Sequence, residues 1–252
     1  MPGLDALAYL IPAAFAAGLI DAIAGGGGLI VLPALLMSGL GPVEALATAK
    51  LQGTFGTAAA TWAFLRRGAI DLRKEWPVAL ATFIAAGAGT ATLMLVDPEF
   101  LAAIVPVLLA GAALWLAFSP RAGDTPARAR LPAWATGFLV CPLIGFYDGF
   151  FGPGTGSFFA LTGVALAGLG LAAATAKAKL LNFVSNLAAL LAFILGGHVV
   201  WTIGLAMALA QIAGATLGAR LAYTHGAPLI RPVLVVVALC LAGRLAFDAW
   251  AV

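Results

Sequence analysis

Charge is scarce in this chain. Of 252 residues, 9% are Asp, Glu, Lys or Arg and 63% are hydrophobic, with a mean hydropathy of +1.09. Soluble domains carry about 25% charged residues, so this sequence cannot cover a water-facing surface. It reads as an all-α polytopic membrane protein. Cysteine is almost missing: Cys141 and Cys240 sit in separate apolar runs, which excludes a disulfide framework and a metal-binding spacing. His198 and His225 are too few and too far apart for a metal site, and no cofactor is implied. The chain has no Gly-Lys-Ser/Thr phosphate loop, so nothing points to ATP hydrolysis. The net charge of +3 comes from loop arginines, with no basic stretch interleaved with aromatics, which argues against a nucleic-acid partner. Met1-Pro-Gly-Leu-Asp5 lacks a basic flank, so the first apolar run is expected to be a retained helix and not a secretory signal.

What is present is a set of long apolar runs. A spanning helix takes about 20 such residues. Eight candidate spans lie at roughly 4–24, 43–65, 76–96, 100–118, 132–151, 176–195, 199–222 and 229–250. Two shorter runs, about 29–40 and 156–170, each follow a glycine-rich break. These two read as half-helices, re-entrant segments or short tilted spans. Trp62, Trp76, Trp115, Trp134, Trp201 and Trp250 fall near span ends, as interface anchors do.

One pattern is written twice. Asp21 is followed by Gly25, Gly26, Gly27 and Gly28, then by Ala47-Thr48-Ala49-Lys50. Asp148 is followed by Gly152, Pro153, Gly154, Thr155 and Gly156, then by Ala174-Thr175-Ala176-Lys177. The spacing from Asp21 to Asp148 equals that from Lys50 to Lys177. Gly68 and Gly197 match at a spacing two positions longer, while Ala86-Gly87-Ala88 and Ala213-Gly214-Ala215 match at the first spacing. Loop charge alternates between the copies: Arg66, Arg67, Arg73 and Lys74 mark one loop as cytoplasmic, whereas its counterpart Gly196-Gly197-His198 has no Lys or Arg. The Asp97-Pro98-Glu99 corner is free of basic residues, whereas its counterpart is flanked by Arg220 and Arg231. This swap predicts two inverted-topology repeats. They would be a first membrane repeat at 1–120, a cytoplasmic connector at 121–131 carrying Arg121, Arg128 and Arg130, and a second repeat at 132–252.

Duplicated helix-breaking segments in an apolar chain point to a transporter's binding site. Gly25, Gly26, Gly27 and Gly28, like Gly152, Gly154 and Gly156 around Pro153, do not continue a helix comfortably. Broken backbone at membrane depth survives where it lines a cavity or is buried in protein. A helix starting after the break offers free N–H groups and the positive end of its dipole to an anion. Thr155 and Ser157 add hydroxyls. The alternative is that these glycines only permit close helix packing.

Lys50 lies in an otherwise apolar stretch, where a cation costs about 2.5–3.5 kcal/mol at the bilayer centre. It reads as an anion ligand, or else as a lysine snorkelling to the headgroups. Its counterpart is Lys177 in one register and Lys179 in another, and residues two apart point to different faces; Lys179 is favoured narrowly. Gln52, Thr54, Asn182, Ser185 and Asn186 form polar stripes beside these lysines, facing either the site or a neighbouring helix. Asp21, Asp148, Thr48 and Lys177 are coupling or structural candidates. The two acids would carry protons, cap the broken helices or pair with lysines.

Asp21–Gly28 with Thr48-Ala49-Lys50-Leu51-Gln52, and Asp148–Gly156 with Lys179-Leu180-Leu181-Asn182-Phe183-Val184-Ser185-Asn186, resemble the sulfite exporter TauE/SafE family over nearly the whole chain. Pro153 stands where the first copy has Gly26, so the two half-sites are not equivalent. The resemblance implies a permease of the cytoplasmic (inner) membrane moving a small sulfur oxyanion: sulfite, thiosulfate, sulfoacetate or a related organosulfonate. Export by alternating access is the expected mode, driven by protons or by the anion gradient. An anion channel and a carrier of a non-sulfur organic anion are the alternatives; an enzyme is not expected. The implied partners are the anionic substrate and the lipid bilayer, and a homo-oligomer is compatible with the sequence.

Overall fold

A computed structural model describes residues 4–97, 99–101, 103–105, 107–108, 111 and 128–225. The expected span at 229–250, most of that at 100–118 and most of the connector lie outside the described residues. Within them the chain is helical, with no strand. The helices are α1 (Leu7–Ala24), α2 (Gly28–Met37), α3 (Pro42–Leu65), α4 (Leu72–Leu93), α5 (Ala133–Phe150, with a π turn at Thr136–Val140), α6 (Thr155–Ala165), α7 (Leu171–Leu195) and α8 (Trp201–His225).

Five of these, α1, α4, α5, α7 and α8, are long and apolar enough to cross a membrane. The sequence led us to expect eight. Two of the remaining three fall largely outside the described residues. The third, α3, has the length, at 24 residues, but Glu44, Lys50, Gln52 and four threonines lower its hydropathy. The short helices α2 and α6 have 10 and 11 residues, or about 15 Å at 1.5 Å per residue, half of a ~30 Å hydrocarbon core. Each runs back beside the helix before it. Gly27 returns to the Ala17 carbonyl, and Tyr147 on α5 stacks against Phe158 on α6 with ring centroids 5.4 Å apart. Positive φ at Gly25 (75°), Gly152 (98°) and Gly154 (87°) permits the reversals.

The order long–short–long–long occurs twice, and contacts between the copies are reciprocal. The first helix of each copy packs against the fourth of the other, α1 on α8 and α5 on α4. Gly18 on α1 meets the Gln211 carbonyl of α8, and Gly145 on α5 meets Thr82 of α4. Gly218 touches the Leu19 carbonyl as Gly89 touches that of Phe146. These pairs correspond at the Asp21-to-Asp148 spacing on the first helices and at the longer Gly68-to-Gly197 spacing on the fourth. The equivalent glycines of α4 and α8 are therefore Gly89 and Gly218, whereas Gly87 and Gly214 meet different surroundings: open space and the Phe15 carbonyl. The turn after the third helix is also repeated. Gly68 and Gly197 both have positive φ, and Ala69 N–H donates to the Phe64 carbonyl as His198 N–H donates to that of Phe193. Trp62, Trp76, Trp134 and Trp201 are exposed near helix ends.

Candidate functional site

The two glycine breaks meet at the centre of the bundle. Gly25 lies against the backbone of Gly156, and Gly28 against Pro153. The Ser157 N–H donates to the Gly25 carbonyl at 3.0 Å, and the Ser157 hydroxyl is shared between the carbonyls of Ala24 and Gly25. A methyl group on Gly25 would come within 2.5 Å of the Gly156 carbonyl carbon. Gly25→Ala should therefore push the breaks apart, at a cost of about 1–3 kcal/mol. A lower melting temperature together with weakened transport is the expected result.

The third helices, α3 and α7, carry the lysines to these breaks, and each lysine meets the acid of the other copy. Lys50 Nζ lies 2.8 Å from Asp148 Oδ1. Lys179 Nζ lies 3.8 Å from Asp21 Oδ2 and also donates to the Asp21 carbonyl. All four residues are buried. The two pairs have different geometry. Lys179 holds a carbonyl at the end of α1, where a cation complements the helix dipole, and Gly27 N–H donates to Asp21 Oδ1 at 3.3 Å. Among the described residues, Lys50 holds only the carboxylate of Asp148. Lys177 points elsewhere and pairs with Glu75 at 2.8 Å, partly exposed.

A cavity of about 50 Å³ opens beside Lys50. Of the residues singled out from sequence, Asp21, Gly28, Lys50, Gln52, Asp148, Gly152, Gly154, Thr155, Gly156, Asn182 and Asn186 line it. Gly25, Gly26, Gly27 and Ser157 do not line it, and Lys179 is likewise not in the wall. Thr48 is also outside; its hydroxyl accepts from Val200 N–H at 3.3 Å. Asn186 Nδ2 donates to the Asn182 carbonyl at 2.6 Å and to its side-chain oxygen at 3.0 Å. The Thr155 hydroxyl donates to the Gly152 carbonyl at 2.5 Å.

Sequence reasoning missed Thr57 and Gln211, which also line the cavity. A signal existed for each. Thr57 lies two helical turns beyond Lys50, on the same helix face. Gln52 and Gln211 are the chain's two glutamines, and both are in the wall. Gln52 Oε1, Gln211 Oε1 and Asp148 Oδ2 are buried acceptors with no hydrogen-bond donor among the described residues.

Residues 10–245 match the family model described as sulfite exporter TauE/SafE. The chain belongs to this family. A probable membrane transporter protein, ORF9, of Sinorhizobium sp is 47% identical over 96% of this chain and 93% of its own length. One from Haemophilus influenzae is 43% identical over 98% of this chain and 96% of its own. The probable membrane transporter protein YfcA of Escherichia coli K12 is 41% identical over 96% and 90%. No solved structure matches. As a TauE/SafE member with five apolar helices of spanning length among the described residues, the chain is a multi-pass membrane transporter, and the names of its relatives indicate transport and not catalysis. The Lys50 cavity thus lies within a TauE/SafE chain, between the two duplicated breaks.

Proposed function

We propose that this TauE/SafE protein is a secondary transporter that exports a small sulfur-containing oxyanion across the cytoplasmic membrane by alternating access. The observation that carries the reading is the buried Lys50 in the wall of a cavity built from both glycine breaks. The family description supplies the sulfur chemistry and the direction. Reciprocal packing of the two copies supports inverted repeats, with the cavity at their shared centre.

Size favours the smallest candidates. A water molecule takes about 10–15 Å³ on the scale used for such cavities. A cavity of about 50 Å³ therefore suits a sulfur atom with three oxygens. Sulfoacetate has twice as many non-hydrogen atoms and requires the cavity to open further.

Thermal unfolding of the purified protein with sulfite, thiosulfate, sulfoacetate, sulfate and chloride at matched ionic strength tests this. A ligand at 100 times its Kd stabilises by about 2.7 kcal/mol. The expected result is a selective shift with a small sulfur oxyanion, lost in Lys50→Gln measured against its own baseline. Equal shifts with all five anions, or with none, count against the reading. Counterflow in proteoliposomes then separates a carrier from a channel, because a channel cannot exchange substrate against its gradient.

A further inference from the structure

The cavity wall contains a conflict that an oxyanion alone does not resolve. Asp148 is 1% exposed, Gln52 2% and Gln211 3%; all three line the site, and each carries a buried acceptor oxygen with no hydrogen-bond partner among the described residues. An oxyanion also presents acceptors, so oxygen would face oxygen. The two glutamines can answer by rotating the amide and presenting NH₂ groups. Gln52 Nε2 is held only by the Ala49 carbonyl at 3.3 Å. A carboxylate has no such rotation and becomes a donor only by taking a proton.

Charge leads to the same conclusion. Lys50 with Asp148 and Lys179 with Asp21 sum to zero. An added monoanion would leave one uncompensated negative charge in a buried site, a costly state. A proton delivered with the anion restores neutrality. Asp21 is not placed to take it: Gly27 N–H and Lys179 engage its two carboxylate oxygens. Asp148 Oδ2 is free of partners among the described residues.

The other ionisable groups around Asp148 are accounted for. On its own helix, the Tyr147 hydroxyl donates to the Pro153 carbonyl at 2.9 Å, and Cys141 lies two turns away. From α4 and α7, Glu75 and Lys177 are paired with each other. Lys179 is committed to Asp21, and Lys50 from α3 is the direct contact.

Resting on the transport reading above, we propose that Asp148 is the proton-carrying counter-ion of the site. With the site empty, Asp148 acts as the resident anion on Lys50. An incoming monoanion takes its place on Lys50, and one proton from the same aqueous phase forms an O–H bond at Asp148. The neutral carboxyl then donates to the bound anion. Release reverses both steps, so each monoanion moves with one proton and no net charge.

The test uses wild-type protein in proteoliposomes containing a pH-sensitive dye, with sulfite and with methanesulfonate, which has no titratable proton at neutral pH. Acidification accompanying methanesulfonate influx, at a rate unaffected by an imposed membrane potential, is the expected outcome; sulfite carries a titratable proton of its own near neutral pH and is read for flux alone. In Asp148→Asn the proton signal is lost, while any remaining anion flux becomes sensitive to potential. Anion flux in the wild type without acidification overturns the inference and leaves the transporter reading standing. So does an Asp148→Asn protein that still moves protons. Absence of flux with every sulfur anion overturns the transporter reading itself. The wild-type measurement decides even where Asp148→Asn fails to fold.

Discussion

Lys50→Ala should abolish anion transport and lower stability by about 3–5 kcal/mol, the cost of leaving one partner of a buried ion pair uncompensated. The remaining partner, Asp148, is 1% exposed and has no second cation in contact among the described residues. Removing both charges should cost less than removing one. Lys50→Ala combined with Asp148→Ala is therefore expected to unfold at a higher temperature than Lys50→Ala alone, while still failing to transport. Lys177→Ala provides the contrast. Its pair with Glu75 is about a quarter exposed on both sides, and pairs open to solvent contribute only about 0–1 kcal/mol. Thermal unfolding in detergent ranks these variants against the wild type, and counterflow reports transport. A Lys50→Ala protein with wild-type melting and wild-type counterflow would falsify the electrostatic role of this lysine.

Gly149→Ala should be the most damaging single-methyl change among the described residues. The added carbon would overlap the Ala86 carbonyl oxygen, with the rest of the Ala86 backbone directly behind it. Neither α5 nor α4 can yield by rotating a side chain, so the two helices must separate. Overpacking of this kind costs about 1–3 kcal/mol and occasionally more. Small residues allow membrane helices to approach this closely, and dispersion between the backbones then contributes to their association. Gly87→Ala is the matched control on the partner helix, because a methyl there meets nothing within 4 Å. The expected result is a clear loss of folded protein or melting temperature for Gly149→Ala, and little change for Gly87→Ala. Equal behaviour of the two variants would show that α4 and α5 do not pack as described.

Rarity made parts of the site legible in the sequence. In a chain with four lysines, a recurring Ala-Thr-Ala-Lys is noticeable, and consecutive glycines with a proline mark breaks whatever surrounds them. The membrane class follows from the lack of charge, and the helical class from apolar runs of about 20 residues. Partner choice was not legible, because a sequence containing Asp21, Asp148, Lys50 and Lys179 does not say which acid meets which lysine. Crossing between the copies emerges only when α3 and α7 pack beside each other's break. The register was ambiguous for a local reason. The copies match at one spacing up to the breaks and at a longer one from the third helices onward, since α6 and the loop after it are together longer than α2 and its loop. Alanine fills both registers around Lys177, so composition alone could not choose. Gln211 was hidden because its counterpart in the longer register is Thr82, which leaves no repeat to notice.

The reciprocal packing also bears on how the chain is made. Gly18 of α1 rests on Gln211 of α8, and most of the chain is synthesised between the two. At roughly 5–20 residues per second of synthesis, α1 waits on the order of 10–40 s in the bilayer before its partner exists. For much of that time Asp21 lacks Lys179 and Lys50 lacks Asp148, because both partners are encoded in the second copy. A nascent chain halted after the first copy thus carries membrane-embedded charges without their native counter-ions. Truncated products therefore differ from finished ones in the pairing of their buried charges and not only in length.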